Sequence, residues 1–557
     1  MSGGAPARPR FAFEWLAGYR RGWLSADVVA GLTTAAVVVP KALAYATVAG
    51  LPVEVGLYTA FVPMLVYALF GSSRPLSVST TTTLAILAGA EFSALSLPGD
   101  SAGLLRAAAT LTLMVGIVLV AAAVLRMGFL ANFISEPVLV GFKAGIGLVI
   151  VLDQLPKLLG IHIRKGGFFH NVAEVLRGVP ETSVPTLAVG AATILLLVGI
   201  EHVAPKLPAP LIAIAAAILG VKALGLGAQG VGVVGHVPQG FPSPVLPDPS
   251  LAEGLWPAAL GIALMSFTET MAAGRAFARS DEPSPRGNRE LLATGLGNAL
   301  GALLGGMPAG GGTSQTAVNR LAGAKTQLAG LVTSGVTLLT MLFLAPAIGL
   351  MPHATLAAVV IVYSVGLIAP AEFASILRIR RLEFIWALVA FGGVVLLGTL
   401  KGILVAVIVS VVGLAFQVAD PPVHVLGRKK GTRIFRPLTG EHPDDETFPG
   451  VVFLRPEGRF FFLNAERIVQ KMRDAIGGET PRVVVLDLSN LFDLEYTALK
   501  LLTEEEGRLR ERGISLWLAG LNPHVLAMVQ NAALGGALGR ERMHFDLEEA
   551  VRKLGLD

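Results

Sequence analysis

The stretch PAGGGTSQTAVNRLAG, Pro308 to Gly323, decides how the rest of the chain is read. Gly310, Gly311 and Gly312 break whatever precedes them; Thr313, Ser314 and Thr316 open a short helical segment, and Gly323 closes it. The segment lies in a long hydrophobic region, yet it is too polar and too short to cross a bilayer, which takes about 20 mainly apolar residues. A helix start carries unpaired backbone N–H groups and a partial positive charge, so it favours an anion. The first half holds a counterpart. Ser77 to Gly89 opens with SVSTTTT after Gly71 and Pro75, and Thr80 precedes Ser314 by 234 residues. Two interrupted half-helices, one per half, predict a secondary transporter with an anion site between their starts.

The surrounding chain fits that class. It has 557 residues, 53% hydrophobic and 15% charged, and a mean hydropathy of +0.67, too apolar for a soluble protein. Many segments reach spanning length, which predicts a polytopic membrane protein in contact with lipid. The absence of cysteine excludes disulfides, thiolate chemistry and zinc–thiolate sites. The net charge of +5 follows from where Arg and Lys sit along the chain and does not point to nucleic acid. Residues 1–25 carry Arg8, Arg10, Arg20 and Arg21, but are too aromatic and interrupted for a cleavable signal peptide. They read as an interfacial segment, with Phe11, Phe13, Trp15 and Trp23 near the headgroups.

Fourteen hydrophobic segments are expected, near residues 28–44, 49–70, 77–92, 103–125, 131–152, 184–201, 208–224, 255–274, 289–305, 313–323, 327–350, 354–369, 384–399 and 402–418. They divide as seven plus seven, and an odd number per half forces the second half into the opposite orientation, an inverted repeat. With both termini inside, Arg74, Arg126, Lys206, Arg275, Arg279, Arg286, Arg289, Arg320, Lys325, Arg378, Arg380 and Arg381 fall on the cytoplasmic side. The loop from 153 to 183, with Lys157, Arg164, Lys165 and Arg177, runs against that rule.

After Gln417 the composition changes. Asp420-Pro421-Pro422 ends the last hydrophobic segment, Arg428-Lys429-Lys430 anchors its exit, and a polar linker with Asp444, Asp445 and Glu446 follows. Strands are expected at Val451–Leu454, Phe460–Leu463, Arg482–Leu488 and Ile514–Ala519, and helices at Ala465–Ile476, Tyr496–Arg512 and Pro523–Asn531. This alternation predicts a small α/β domain without nucleophile–base or metal-ligand spacing. The expected division is an N-terminal segment 1–25, a transport domain 26–420, a linker 421–447 and a soluble domain 448–557.

Of the charged residues in the spanning segments, Lys41 and Glu269 carry the most weight. Lys41 follows Pro40, which should break the first helix. A mid-membrane charge costs about 2.5–3.5 kcal/mol on insertion scales and so tends to face a cavity. Glu269, in LMSFTETMAAG, follows Lys41 by 228 residues, so the two could hold related places in the repeats. Lys143 and Asp153 read as structural or end-of-helix charges, and His353, after Pro352, as a boundary residue.

Four stretches resemble the sulfate permease (SulP) family. They are PKALAYA with AGLP at 40–52, NREL with Gly295 and Asn298, SQTAVN at 314–319, and GAKTQLAG at 323–330. The tail, with LDLSNLFDLEYTALKLL, resembles the STAS domain these permeases carry. The resemblance implies a core domain holding the site, a gate domain, elevator-like movement between them and a homodimer. Carried over by motif, Lys41, Tyr45, Thr81, Ser314 and Gln315 would form the anion site with Glu269 nearby, and Thr80, Thr313 and Thr316 join them as helix-start hydroxyls. The family usually has Gln at position 41, and often Arg at 315, so one cation could have changed helix. Tyr496 stands where phosphorylated STAS proteins have the acceptor serine, and Glu495 replaces the preceding Asp, so no phospho-switch is expected there.

The function expected is proton-coupled symport of a small oxyanion or dicarboxylate, such as sulfate or fumarate, with Glu269 as the proton-coupling (or sodium-coupling) group and no cofactor, metal site or enzymatic activity. Alternatives are sodium-coupled bicarbonate or anion symport, uncoupled anion exchange, or a channel. A nucleobase–cation symporter is disfavoured because it would want a carboxylate on each of two core helices. The chain is placed in the cell (inner) membrane with both termini and the STAS domain cytoplasmic.

Overall fold

The computed structural model describes residues 13–16, 18–95, 101–132, 135–164, 166–204, 207–477 and 481–556; Arg8, Arg10, Phe11, Lys165 and Lys206 lie outside them. Apolar runs form helices because the backbone must satisfy its own hydrogen bonds in lipid. The first half contains α1 (Leu24–Val48), α2 (Val53–Phe70), β1 (Val78–Ser79), α3 (Thr82–Ala94), α4 (Ser101–Val124), α5 (Glu136–Leu159), α6 (Phe168–Gly178), α7 (Val184–Val203) and α8 (Ala209–Ala223). The second contains α9 (Ala252–Ala276), α10 (Gly287–Leu303), β2 (Gly310–Gly311), α11 (Thr313–Leu321) and α12 (Leu328–Leu339), which continues through a π turn into α13 (Ala345–Gly349). It ends with α14 (His353–Val365), α15 (Pro370–Ile379), α16 (Arg381–Leu397) and α17 (Thr399–Ala419).

All fourteen expected segments are helical. Eight described helices have the length and apolarity to cross a membrane; the others are shorter or interrupted. Helices α6 and α15 were not expected. Each is a short amphipathic piece (FFHNVAEVLRG and PAEFASILRI), invisible to a search for long apolar runs, and each occupies the same place in its half. Pro40 does not break α1, which runs through it to Val48. Neighbouring helices can satisfy the backbone group that proline frees in a membrane helix.

Partners exchange between the halves. Helix α1 lies against α12 as α9 lies against α4, α2 against α12 as α10 against α4, and α1 against α11 as α9 against α3. These helices form the core. Helix α5 packs on α14 and α16, and α7 on α14, which forms the gate. The described residues before α1 reach the end of α2: Trp15 Nε1 donates to Ala68 O at 2.7 Å and Phe13 N to Leu69 O at 2.8 Å. Glu14 pairs there with Arg286 and Arg289.

A second compact unit starts at Val412. Its six-stranded sheet has the order β10-β9-β7-β5-β3-β4, formed by β3 (Val423–Arg428), β4 (Phe435–Pro437), β5 (Val451–Pro456), β7 (Val483–Asp487), β9 (Ser515–Ala519) and β10 (Met543–His544). Two of these strands, β3 and β4, fall in the stretch read as a linker. The strand expected at Phe460–Leu463 is instead β6 (Gly458–Phe460), paired with β8 (Leu491–Leu494). Phe461 N donates to Asn464 Oδ1 at 3.0 Å, turning the chain into α18 (Ala465–Ile476). Arg436 beside Asp445, at 2.7 Å, holds that carboxyl below its usual range.

Candidate anion site

The site grows from a backbone crossing. Strands β1 and β2 pair antiparallel, Val78 opposite Gly311 and Ser79 opposite Gly310, and Gly312 N donates to Ser77 O at 3.1 Å. The glycines are needed because α9 passes directly behind. A Cβ on Gly311 would lie 2.7 Å from Thr270 Cα, and one on Gly310 would lie 2.9 Å from Ser266 Oγ. In place of side chains there are hydrogen bonds: Gly311 N to Thr270 Oγ1 at 2.8 Å, and Ser266 Oγ to Ala309 O at 2.7 Å.

Beside the crossing lies a cavity of about 440 Å³ whose lining includes Tyr45, Thr81, Thr82, Thr83, Glu269, Thr313, Ser314 and Gln315. Helix α11 has no side-chain cap, and Thr313 and Ser314 at its start are exposed. Lys41 is 2% exposed and donates to Ser314 Oγ at 3.1 Å. On its other side the Tyr363 ring lies 3.6 Å from the ammonium, a cation–π contact worth about 2 kcal/mol when desolvated. Glu269 accepts from Thr81 Oγ1 at 2.8 Å, and Tyr45, Thr82 and Thr83 share the lining with it.

Three residues named from the sequence sit differently. Gln315 lines the cavity, but its amide closes the crossing: Oε1 accepts from Ser79 Oγ at 2.8 Å and Nε2 donates to Thr80 O at 3.0 Å. Thr316 and Thr80 are both fully buried; Thr316 Oγ1 accepts from Ser77 N at 3.1 Å. Much of the motif around them builds the frame. Asn319 Nδ2 donates to Pro75 O, Gln327 Nε2 to Ser73 O and Leu76 O, and Asp27 holds Lys325 N and Thr326 N.

Other lining residues were missed. Thr82 and Thr83 belong to the same SVSTTTT run and could have been included. Glu136 on α5, Tyr363 on α14 and Glu372 on α15 come from the gate, and no local pattern announces them; Lys143 on α5, read from the sequence as a structural or end-of-helix charge, lines the cavity too. Glu136 stands in the first turn of α5 and Glu372 in that of α15, both exposed, and they share the lining with the half-buried Lys143 and with Glu269.

A family model described as the sulfate permease family matches residues 24–390, and one described as the STAS domain matches residues 442–550. A probable sulfate transporter of Mycobacterium tuberculosis is 34% identical, over 96% of this chain and 96% of its own length. Sulfate transporter 1.2 of Arabidopsis thaliana is 30% identical, over 97% of this chain and 86% of its own. Murine Solute Carrier 26 family member A9, an anion transporter solved in the inward-facing state, matches with a TM-score of 0.89 at 22% identity, covering 98% of this chain and 93% of that one. The transmembrane domain of BicA, a cyanobacterium bicarbonate transporter, matches with a TM-score of 0.63 at 22% identity, over 72% of this chain and 100% of that one. Those two structures share the fold.

Proposed function

Because the chain belongs to the sulfate permease family, we propose that it is a secondary active transporter of a small oxyanion or dicarboxylate, driven by a proton. The anion docks on the open start of α11, where Thr313 and Ser314 face the cavity and Lys41 lies 3.1 Å behind the Ser314 hydroxyl. Orphan N–H groups, a hydroxyl and one ammonium together suit a compact anion.

The observation that carries the coupling is Thr81. It stands at the start of α3 and donates to Glu269 at 2.8 Å, in the same cavity as Ser314. An anion and a carboxylate in one cavity repel, and a proton on Glu269 removes that repulsion. Binding of the anion and of the proton then favour each other, and by linkage the coupling is reciprocal. Elevator-like movement of the core past the gate carries both across. On the fourteen-segment topology the first turns of α5 and α15 lie on the cytoplasmic side, so the cavity opens inward. The chain is read as a homodimer in the cell (inner) membrane, as the family resemblance implies.

The test is uptake of labelled sulfate, bicarbonate, chloride and fumarate into proteoliposomes under imposed proton or sodium gradients. Acid outside is expected to accelerate uptake of one oxyanion or dicarboxylate. Uptake driven by sodium alone makes Glu269 a metal ligand, and downhill flux insensitive to either gradient makes the protein an exchanger or a channel.

A further inference from the structure

Lys41 is buried, yet among the described residues it forms no ion pair. Its charge lies between two bodies. Ser314 on the core accepts its hydrogen bond at 3.1 Å, and Tyr363 on the gate turns its ring face to the ammonium at 3.6 Å. Behind the ring, the Tyr363 hydroxyl donates to Glu201 on α7 at 2.9 Å. A carboxylate accepting from a phenol makes its ring more electron-rich, and so a better seat for a cation. The line Ser314–Lys41–Tyr363–Glu201 thus ties one core helix start to two gate helices.

We propose that Tyr363 is a positioning residue that holds Lys41, and with it the core, against the gate while the site is empty, and yields Lys41 to the anion when it arrives. The proposal rests on the transport reading above and adds its control. A full negative charge beside Ser314 attracts the ammonium more strongly than a ring face does, because charge–charge attraction exceeds charge–quadrupole attraction at equal distance. The docked anion therefore draws Lys41 off the ring. The contact biases the empty core toward the arrangement in which the cavity opens inward, a preference of the size of one cation–π contact that the empty core still overcomes on its return, and the docked anion removes that bias. Nothing in the sequence motifs points to Tyr363, since the residue acts only through a contact between domains.

The chain has no cysteine, so one thiol introduced at Ala317, which lines the cavity, reports which side of the membrane the site faces. In proteoliposomes without added anion, labelling by a membrane-impermeant maleimide from each side is compared between variants carrying Ala317→Cys. Tyr363→Leu is expected to shift the ratio of labelling between the two sides by about 3- to 30-fold away from the cavity's open side. Tyr363→Phe, which keeps the ring, should stay closer to the parent. Lys41→Gln should shift the ratio as Tyr363→Leu does, and the two together should shift it no further. A ratio unchanged by Tyr363→Leu overturns the latch, as does a double variant in which the two shifts add. Labelling without anion reads the latch alone, whereas the anion uptake panel reads transport, so the two proposals fail separately.

Discussion

Helix α3 begins behind a cap: Thr81 Oγ1 accepts from Leu84 N at 3.3 Å and donates to Glu269 at 2.8 Å. Helix α11 begins at Gly312 with no side-chain cap, and its first two residues are exposed. Both helices leave the same two-stranded crossing, so the backbone repeats while the finish does not. At α3 the hydroxyl that could greet an anion is occupied by the cap and the carboxylate. At α11 the helix start and its hydroxyls remain available, with a lysine behind them. On the proposed function the repeat divides its labour, coupling falling to one half-helix and cargo to the other.

The comparison breaks most plainly at Ser314. Ser314→Trp should abolish anion binding, measured by isothermal titration on detergent-purified protein, while the melting temperature stays near that of the parent. Unchanged affinity would remove the α11 start as the cargo site.

Next in size is the coupling half. Glu269→Gln, a fixed neutral mimic, should still exchange substrate but lose accumulation driven by a pH gradient, read as the plateau of labelled uptake. Accumulation equal to the parent's would take the coupling role away from α3.

Lys41→Gln should weaken binding by about 2 kcal/mol, roughly 30-fold, the scale of a hydrogen bond to a charged group. Adding Gln315→Arg should return part of that affinity and lower the melting temperature, because the guanidinium restores charge but gives up the amide's bonds to Ser79 and Thr80. A folded double variant with no recovery would place the two positions in separate pockets.

The smallest effect sharpens the contrast between the caps. Thr81→Val should cost about 1 kcal/mol of stability, the usual worth of an N-cap, whereas Thr313→Val should cost less than half of that. Equal losses in thermal unfolding would mean that the two helix starts are finished alike.

The half-helices were legible because glycines and hydroxyl residues interrupt apolar sequence at matched places in the two halves. Of the candidate site, the core-side residues named from the sequence come together: Tyr45, Thr81, Ser314 and Glu269 line one cavity and Lys41 bonds Ser314. The gate side was not legible, since Tyr363, Lys143, Glu136 and Glu372 are brought in by packing between segments far apart in the chain. Gln315 and Thr316 were read as ligand groups because sequence shows a side chain's chemistry but not the direction it takes. Their hydrogen bonds join the two half-helices, and Gln315 lines the cavity as well. The amphipathic α6 and α15 escaped because a search tuned to spanning length passes over helices of 11 and 10 residues.

The glycines at the crossing bear on how a saturation-mutagenesis map of this protein would read. Alanine at Gly311 meets Thr270 Cα at 2.7 Å, a backbone atom that cannot swing aside. Such a map scored by uptake would mark Gly310 and Gly311 as strongly as Ser314, although neither glycine offers a side chain to the anion. Scoring each variant for surface expression as well would separate the two groups: the glycine variants would be depleted from the membrane, and the Ser314 variants would be present there but inactive.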